Sequence, residues 1–303
     1  MEFDKNTRRK ALGILTRERC EAVPALAKFV TGVEQIYKMH ESDTAFSRCK
    51  GYFSELIRSD FLTHLTNYEL RKFAANPLYV PLVSFASQVI IIETENFQLN
   101  VGFVNQHTVT KTNRIQTLPS HCMISAASNP LAIDSYTQPE ILSDDFRRDL
   151  PLVKTGQRVL GIGEIIDVRA AYDIVDFQPQ ADVTSLVMNF SSKTPVGYTW
   201  EFDRSTLLPV RFVPSDNTWS RVDYAIQLIT ALGDRDYVPT LRRLAAEHPA
   251  HFVRWSAIRG VVQLDYDAGL ALLGDAASDG HSHVRNAALR TLNNFAATTA
   301  AAG

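Results

Sequence analysis

Residues 279–292 read DGHSHVRNAALRTL, and two segments upstream repeat the central part of this pattern. VRWSAI occupies residues 253–258 and RVDYAI occupies residues 221–226, so the alanine recurs at positions 225, 257 and 288. A sequence period of about 20 to 50 residues is typical of solenoids, in which each unit buries its apolar face only against its neighbours. Because a solenoid offers a surface and seldom an active site, the repeat predicts a binding role.

Apolar residues at helical spacing surround each copy of the pattern. They predict five helices, over residues 219–232, 237–246, 252–264, 267–277 and 283–295. Turn residues such as Gly233-Asp234, His248-Pro249 and Asp279-Gly280 separate these helices. In each unit the alanine permits close approach of two helices, and the following isoleucine or leucine fills the shared core. The result is about two and a half helical hairpins, too few for a long superhelix.

The segment 279–292 resembles the HEAT-like repeat, in which an acidic turn precedes Val-Arg-x-x-Ala-Leu-x-x-Leu. Arg254 and Arg285 match the family's arginine, which commonly meets the acidic turn of an adjacent unit. Val222 stands at that position in the first unit, as expected for an atypical end unit packed on another domain. The resemblance implies either a docking platform, for a protein partner or a second copy, or a helical buttress that covers the preceding domain.

Four histidines fall in the predicted turns between units, and such turns stack along one edge of a solenoid. They are His248, His251, His281 and His283. A metal site is conceivable there, but neutral histidines in surface turns are commoner, and we favour the second interpretation.

Residues 79–217 alternate short β-branched runs with turn residues. Nine strands are predicted, over residues 88–94, 97–104, 121–127, 131–136, 158–162, 171–177, 183–190, 196–202 and 208–213. Because no helical pattern intervenes, an antiparallel sandwich or barrel is expected. Residues 143–149 read as a polar insertion or a single helical turn.

The order of features in residues 97–202 resembles that of a cupin. Residues 121–136 are similar to the hairpin of the first cupin motif, and residues 152–168, with their glycine-rich turn, resemble the second. Residues 184–188 (TSLVM) resemble the closing strand of the cysteine-dioxygenase-like branch. The resemblance implies a cupin-like antiparallel β-barrel. In metal-binding cupins, a His-x-His pair and a glutamate from the first motif and a histidine from the second hold the ion.

The metal ligands of a cupin are missing from the expected positions. Residues 110–116 read TKTNRIQ, without His-x-His, and Ile166 stands where the second motif has its histidine. An apolar side chain cannot ligate a cation, so we predict no metal cofactor. If the alignment is displaced by several residues, His107, His121 and Glu164 are the remaining candidates for iron or another divalent metal.

A barrel without a metal can still bind a small molecule in its mouth. Asn113, Arg114 and His121 are the candidate ligand-binding residues. Arg114 can hold a carboxylate or phosphate bidentately, but a structural ion pair with Asp134 or Glu164 is the favoured alternative. His121 on an apolar strand is more often a core histidine than a general base.

Residues 1–78 have the pattern of helices, with Pro24 in a first helical turn. Residues 66–69 (TNYE) fit a capping box that opens a short helix. The first helix is basic, and we expect a solvated face rather than a polyanion contact. Its basic residues are Arg8, Arg9, Lys10, Arg17 and Arg19.

Composition limits the function classes. The 303 residues carry a formal net charge of −2, with 45% hydrophobic and 21% charged residues, so nothing favours nucleic acid or an anionic membrane as a partner. No apolar leader and no apolar stretch long enough to span a membrane is evident. The three cysteines, Cys20, Cys49 and Cys122, form no CxxC pair. A reducing, cytoplasmic compartment is the expectation.

Together these patterns predict a multidomain α+β protein. We expect a helical region at residues 1–78, a cupin-like barrel or sandwich at 79–217, HEAT-like repeats at 218–297 and a disordered tail at 298–303. The leading hypothesis is a small-molecule-binding, regulatory or scaffold protein that meets a protein partner or itself through residues 218–297. The alternative is a cupin-type oxygenase or isomerase with a non-standard site in the barrel mouth, and whether the chain is an enzyme stays open.

Overall fold

The computed structural model describes residues 5–79, 83–85, 88–109, 112–139, 147–215 and 217–302. These residues form two compact units, one that reaches Val213 and one that starts at Pro214. No helix within the described ranges is both long and apolar enough to cross a membrane.

The first unit opens with five helices. They are α1 (Lys5–Ala22), α2 (Pro24–Met39), α3 (Ser42–Arg48), α4 (Lys50–Arg58) and α5 (Phe61–Ala75). Pro24 starts α2, as predicted. The capping box predicted at residues 66–69 is wrong, because these residues lie inside α5. Phe61 and Leu65 are buried one turn apart at the start of α5. Their burial stabilises a helix that begins at Phe61, before the residues that match a capping box.

Within the described ranges, twelve strands follow the helices. They are β1 (Val83–Phe85), β2 (Gln88–Glu93), β3 (Phe97–Val104), β4 (Arg114–Gln116), β5 (Cys122–Ala126), β6 (Leu131–Thr137), β7 (Val153–Leu160), β8 (Ile165–Val168), β9 (Asp173–Gln178), β10 (Ser185–Ser192), β11 (Tyr198–Asp203) and β12 (Pro209–Pro214). Every predicted strand overlaps one of these, whereas the short strands β1, β4 and β8 were not predicted. Most of the insertion predicted at residues 143–149 lies outside the described residues.

The strands pair antiparallel in three sheets. The largest has the order β1-β2-β3-β10-β5-β8, and the others have the orders β12-β11-β4 and β7-β6-β9. In the described parts of the chain, none of the three sheets closes on itself. The predicted antiparallel architecture is therefore confirmed, and the predicted barrel is not.

The helices cover one face of the six-stranded sheet. Phe29 of α2, Phe53 of α4, Phe97 of β3 and Phe190 of β10 are all buried in one apolar core. The Phe190 ring centroid lies 5.2 Å from that of Phe29, 5.4 Å from that of Phe53 and 5.5 Å from that of Phe97. Residues 1–78, expected from the sequence to be a region of their own, thus share their core with the strands.

The other two sheets complete a layered arrangement. Ile124 and Val187 of the largest sheet share a second apolar core with Leu131 and Ile133 of β6. A third core joins β6 and β9 to the remaining sheet and includes Trp200, which is 1% exposed. This layering of sheets is closer to the sandwich alternative than to a barrel.

The second unit consists of helices. They are α6 (Asn217–Leu232), α7 (Val238–Glu247), α8 (His251–Leu264), α9 (Tyr266–Ala276) and α10 (Ser282–Ala302), with a 3-10 turn at Arg235–Tyr237. All five predicted helices are confirmed. However, α10 runs through Ala302 and thus across the segment predicted to be a disordered tail.

The repeat alanines differ in burial along the second unit. Ala257 and Ala288 are fully buried, as close packing of helices requires, whereas Ala225 is exposed in α6. Ile226 and Ile258, which follow two of these alanines, are both 2% exposed and lie in the same core. The repeat alanine therefore marks the inner face of α8 and α10 and fails at α6, whereas the apolar residue after it is buried in α6 and α8 but 44% exposed at Leu289 of α10.

One close contact between helices of this unit is made by a glycine rather than by a repeat alanine. A Cβ atom on Gly269 in α9 would lie 2.4 Å from the backbone Cα of Val262 in α8. Real Cβ atoms do not approach backbone this closely, so only glycine permits the observed separation of α8 and α9.

We expect Gly269→Ala to lower the free energy of unfolding of the second unit by about 1–3 kcal/mol, because the added methyl group forces α8 and α9 apart. Gly274→Ala in the same helix is the matched control. Nothing lies within 4 Å of a Cβ at Gly274, so the greater helix propensity of alanine predicts a neutral or slightly stabilising effect. Urea denaturation followed by circular dichroism measures both changes. Equal effects of the two substitutions would contradict the prediction.

Candidate functional site

Asn113 and Arg114, two of the predicted ligand-binding residues, are engaged by side chains of the neighbouring strand β11. The Asn113 side-chain amide donates to Asp203 Oδ2 at 3.0 Å, and Arg114 Nη1 lies 3.0 Å from Glu201 Oε2. Glu201 also accepts two bonds from Arg211, at 2.7 and 2.9 Å, and these arginines lower the pKa of its carboxyl group. Arg114 thus belongs to a structural ion-pair cluster.

The ion pair predicted for Arg114 was assigned to the wrong partners. Asp134 pairs instead with Lys154 at 2.8 Å, and Glu164 pairs with Arg158 at 2.7 Å. Glu201, the observed partner of Arg114, lies on β11, a strand that no local pattern in the sequence links to β4.

His121, the third predicted ligand-binding residue, makes different contacts. Its Nδ1 accepts a hydrogen bond from the backbone N–H of Ala170 at 3.2 Å, and its ring stacks against Phe46 with the centroids 6.4 Å apart. Asn113 and Arg114 contact β11, whereas His121 contacts Phe46 of α3 and the chain beyond β8. The contacts of the three candidates therefore do not converge on a common site.

The residues present do not fit a cupin metal centre. Across the described ranges, no group of three or more His, Cys, Asp or Glu side chains could hold a metal ion. Glu164 is committed to Arg158 and to the backbone N–H of Gly161. His107 is exposed in a turn after β3. Ile166 pairs in register with Ile124, as part of the strand β8.

The cysteines are not set up as nucleophiles. Cys122 is 2% exposed, and burial raises the pKa of its thiol to about 12. Burial also raises the pKa of Cys49 to about 12 and that of Cys20 to about 11. Thiols with such pKa values are protonated, and so unreactive, near neutral pH.

A bidentate ion pair joins the last two units of the repeat. Arg254 in α8 donates from Nε and Nη2 to the two carboxylate oxygens of Asp279, at 3.1 and 2.8 Å. Its Nη1 donates to the carbonyl oxygens of His248 and Pro249 in its own turn, at 3.0 and 3.1 Å. Burial alone would raise the pKa of Asp279, but the bonds from Arg254 and from a backbone N–H lower it overall. The arginine meets the adjacent acidic turn as the resemblance implies.

His248 takes the place of the acidic residue in the preceding turn. It stands six residues before Arg254, as Asp279 stands six residues before Arg285. Its Nδ1 accepts from the N–H of Ala250 at 3.1 Å, just as Asp279 Oδ1 accepts from the residue two positions further on. Burial lowers the pKa of His248 and so favours the neutral form that accepts this bond.

Both partners of the ion pair are therefore replaced at the first boundary between units. Val222 stands where the later units have arginine, and His248 stands where the last turn has aspartate. The ring of Trp219 packs edge-on against His248 at 6.2 Å. The sequence identified Val222 at the arginine position, and comparing the turns in register would also have shown His248 at the position of the aspartate.

Three of the turn histidines stack along one edge of the second unit. The rings of His251 and His281 are parallel, with centroids 3.8 Å apart, and His283 lies 5.5 Å from His281. The stacking of turns expected from the sequence is thus observed. Parallel rings at this separation do not point their nitrogen atoms at a shared ion, which favours a packing role.

A concave surface of the second unit lies on both sides of α8. Trp255, Arg259 and Gln263 follow one another at intervals of four residues, so they form one row along the helix. A depression of about 390 Å³ lies between this row and α6, and one of about 300 Å³ lies between the row and α9 and α10. We call the two depressions together the α8 groove.

The two depressions of the α8 groove differ in lining: the one towards α6 mixes polar and apolar side chains, and the one towards α10 is mainly apolar. The depression towards α6 is lined, besides the shared row, by Asp223, Ile226, Gln227, Thr230, Ala231, Phe252, Ser256 and Gly260. The other is lined by Ile258, Val262, Leu273 and Thr291, so Arg259 is its only charged residue. Partly buried tryptophan beside exposed arginine is a combination enriched among residues that dominate protein–protein binding.

The C-terminal part of the chain matches a known family. Residues 215–301 match the family model for HEAT repeats, which supports the resemblance drawn from the sequence. A search of the curated proteins finds no match to the chain.

The solved structures that are similar to the chain are distant. A protein assigned as a mannose-6-phosphate isomerase, from Ralstonia eutropha, is 12% identical over 39% of this chain and 94% of its own, with a TM-score of 0.22. The vicilin of Solanum melongena is 10% identical over 43% of this chain and 34% of its own. The capsular polysaccharide assembling protein CapF of Staphylococcus aureus is 14% identical over 39% and 30%. Both of these have TM-scores of 0.26, and scores this low identify no shared fold.

Proposed function

We propose that this chain is a scaffold protein that docks a protein partner through its HEAT-like unit, with the α8 groove as the binding surface. The observation that carries the proposal is the row of Trp255, Arg259 and Gln263 between two depressions. The match of residues 215–301 to HEAT repeats supports it, because repeat units of this kind present surfaces rather than enclosed sites.

The lining of the groove defines the partner. Apolar side chains in both depressions, Phe252 on the α6 side and Val262 on the α10 side, flank Trp255 and suit a partner segment that inserts one apolar side chain into each depression. On the side of α10, Arg259 is the only charged lining residue, and it suits a carboxylate of the partner. We therefore expect a short segment with two apolar anchors and an acidic residue between or beside them.

The first unit acts in this proposal as the scaffold. Its predicted ligand-binding residues, Asn113, Arg114 and His121, are bonded to protein groups on different elements. This arrangement supports a structural role better than small-molecule binding. The cupin-type enzyme remains the alternative hypothesis, but no geometry in the described residues favours it.

Peptide selection against the whole chain, followed by affinity measurement, tests the proposal. We expect selected peptides to carry apolar anchors with Asp or Glu. Trp255→Ala is expected to weaken their binding by roughly 30-fold, which corresponds to about 2 kcal/mol. Arg259→Met should weaken acidic peptides but not their Asn or Gln variants. Arg243→Ala is the control, because Arg243 is exposed on α7 and does not line the groove.

Two outcomes would count against the groove. One is the selection of peptides whose affinity is unchanged by both Trp255→Ala and Arg259→Met. The other is an equal loss of affinity with Arg243→Ala, which would indicate nonspecific binding by the basic residues of the unit. Circular dichroism of each variant separates a loss of binding from a loss of fold.

A further inference from the structure

Arg285 repeats the pose of Arg254 one unit later. Arg254 fixes its Nη1 on two carbonyl oxygens of its own turn and uses Nε and Nη2 to hold Asp279. Arg285 likewise donates from Nη1 to two carbonyl oxygens of its own turn, those of Asp279 at 2.6 Å and Gly280 at 3.3 Å. In both arginines, the Nη1 side of the guanidinium is therefore bonded to the residue's own turn.

The other half of the Arg285 guanidinium has no equivalent of Asp279. In the described part of the chain, α10 is the last helix, and no acidic side chain pairs with Arg285. Because the turn carbonyls fix the plane of the group, its Nε and Nη2 remain arranged as a fork for a carboxylate.

A second, independent difference marks the same end of the unit. Leu289 aligns with Ile226 and Ile258 in the repeat. Those two isoleucines are 2% exposed because the following unit covers them, whereas Leu289 is 44% exposed. An apolar side chain that is buried in two units and exposed in the third indicates a face that can be covered by one more helix.

We infer that Arg285 and Leu289 form a docking surface for an acidic turn that opens a helix in a partner polypeptide. The partner's carboxylate binds Nε and Nη2 of Arg285, as Asp279 binds Arg254, and an apolar residue of the partner helix covers Leu289. Neither residue lines the α8 groove, so this surface is separate from that of the proposed function.

A peptide that copies one unit of the repeat is a suitable probe, because it carries such a turn and helix. We would label a synthetic peptide of residues 266–292 and titrate it with the whole protein, following fluorescence anisotropy. We expect binding that Arg285→Met weakens at least tenfold and that Arg285→Lys, which keeps the charge but not the fork, weakens less. A peptide with Asp279→Asn should bind the wild-type protein more weakly by a similar factor. When this peptide is combined with the Arg285→Met protein, the affinity should fall little further than with either change alone.

Arg290→Met is the matched control on the same helix, since Arg290 is exposed and donates only to the carbonyl oxygen of Asn286. No binding to the wild-type protein, or binding that both Arg285→Met and the Asp279→Asn peptide leave unchanged, would overturn the inference. Self-association of the protein that depends on Arg285 would overturn the assignment to a separate partner, because a second copy would then be the occupant. Trp255→Ala should leave peptide binding unchanged, which distinguishes this surface from the α8 groove.

Discussion

Replacing Phe190 with alanine is expected to lower the free energy of unfolding of the first unit by about 3–5 kcal/mol, the range for truncating a buried phenylalanine. Phe190 is fully buried at the centre of the aromatic cluster. Besides the three rings already described, Phe46 of α3 lies 4.9 Å from it. The substitution therefore removes contacts with three helices and with β3 at once, and the surrounding rings cannot all move into the cavity.

The Phe190→Ala variant also tests whether the helices and strands of the first unit unfold together. Hydrogen exchange of the α2 amides during denaturation reports the helices of this unit, and exchange of the β3 amides reports its strands, without a contribution from the helices of the second unit. Both signals should shift to lower denaturant concentration by the same amount. Phe103→Ala is the control, because Phe103 lies on the neighbouring strand β3 but is 41% exposed, and we expect a change below about 1 kcal/mol. Separate transitions for helices and strands would contradict a shared core.

The helices of the second unit could be predicted closely because their information is local. The apolar period and the turn residues fix where α6 to α10 begin, and the Val-Arg-x-x-Ala pattern identifies the inner faces of α8 and α10. Gly269 shows the limit of this reasoning. The sequence does not indicate that this glycine lies against the backbone of another helix, because the contact depends on the position of Val262 in α8.

The candidate site residues in the first unit could not be placed from the sequence for the same reason. Arg114 was expected to form either a ligand contact or an ion pair, and the ion pair is observed, but its partner Glu201 is 87 residues away. Register between β4 and β11 brings the two together, and β4 is too short to show a strand pattern of its own. The α8 groove was also missed, because its row at intervals of four residues resembles any other helix face until its neighbours are known.

Arg19 is the clearest departure from a local interpretation. As part of a basic helix it was expected on a solvated face, and Lys10 and Arg17 are indeed exposed, whereas the side chains of Arg8 and Arg9 lie outside those described. Arg19 itself is 1% exposed. The expectation of a solvated face is therefore wrong for this residue.

A bulge in β2 explains why a buried arginine is needed at this position. Ile90 pairs with Asn100 of β3 and Ile92 pairs with Leu99, so Ile91 is an extra residue in the ladder. Arg19 Nη1 donates to the carbonyl oxygens of Ile90 and Ile91, and its Nε lies 2.7 Å from a carboxylate oxygen of Glu69 in α5. The guanidinium thus satisfies backbone groups that the bulge leaves without strand partners and neutralises Glu69.

We expect Arg19→Met to lower the free energy of unfolding of the first unit by about 3–5 kcal/mol, because it leaves buried carbonyl oxygens without their donor and removes the positive partner of the largely buried Glu69 carboxylate, which keeps the hydrogen bond from the Tyr79 hydroxyl. Lys28→Met is the control. Lys28 pairs with Glu55 on the surface of the same helical layer, with side chains 64% and 57% exposed, and such pairs contribute at most about 1 kcal/mol. Urea denaturation compares the two variants.

Adding Glu69→Gln to Arg19→Met separates the two causes of the expected loss. The amide removes the unpaired charge, so the double variant should be more stable than Arg19→Met alone. Any loss of unfolding free energy that remains relative to the wild-type protein is then due to the carbonyl oxygens of the β2 bulge, which still lack the arginine donor. If Arg19→Met were no more destabilising than Lys28→Met, the guanidinium would not be holding the bulge. If the double variant were less stable than Arg19→Met, charge burial at Glu69 would not be the reason for the loss.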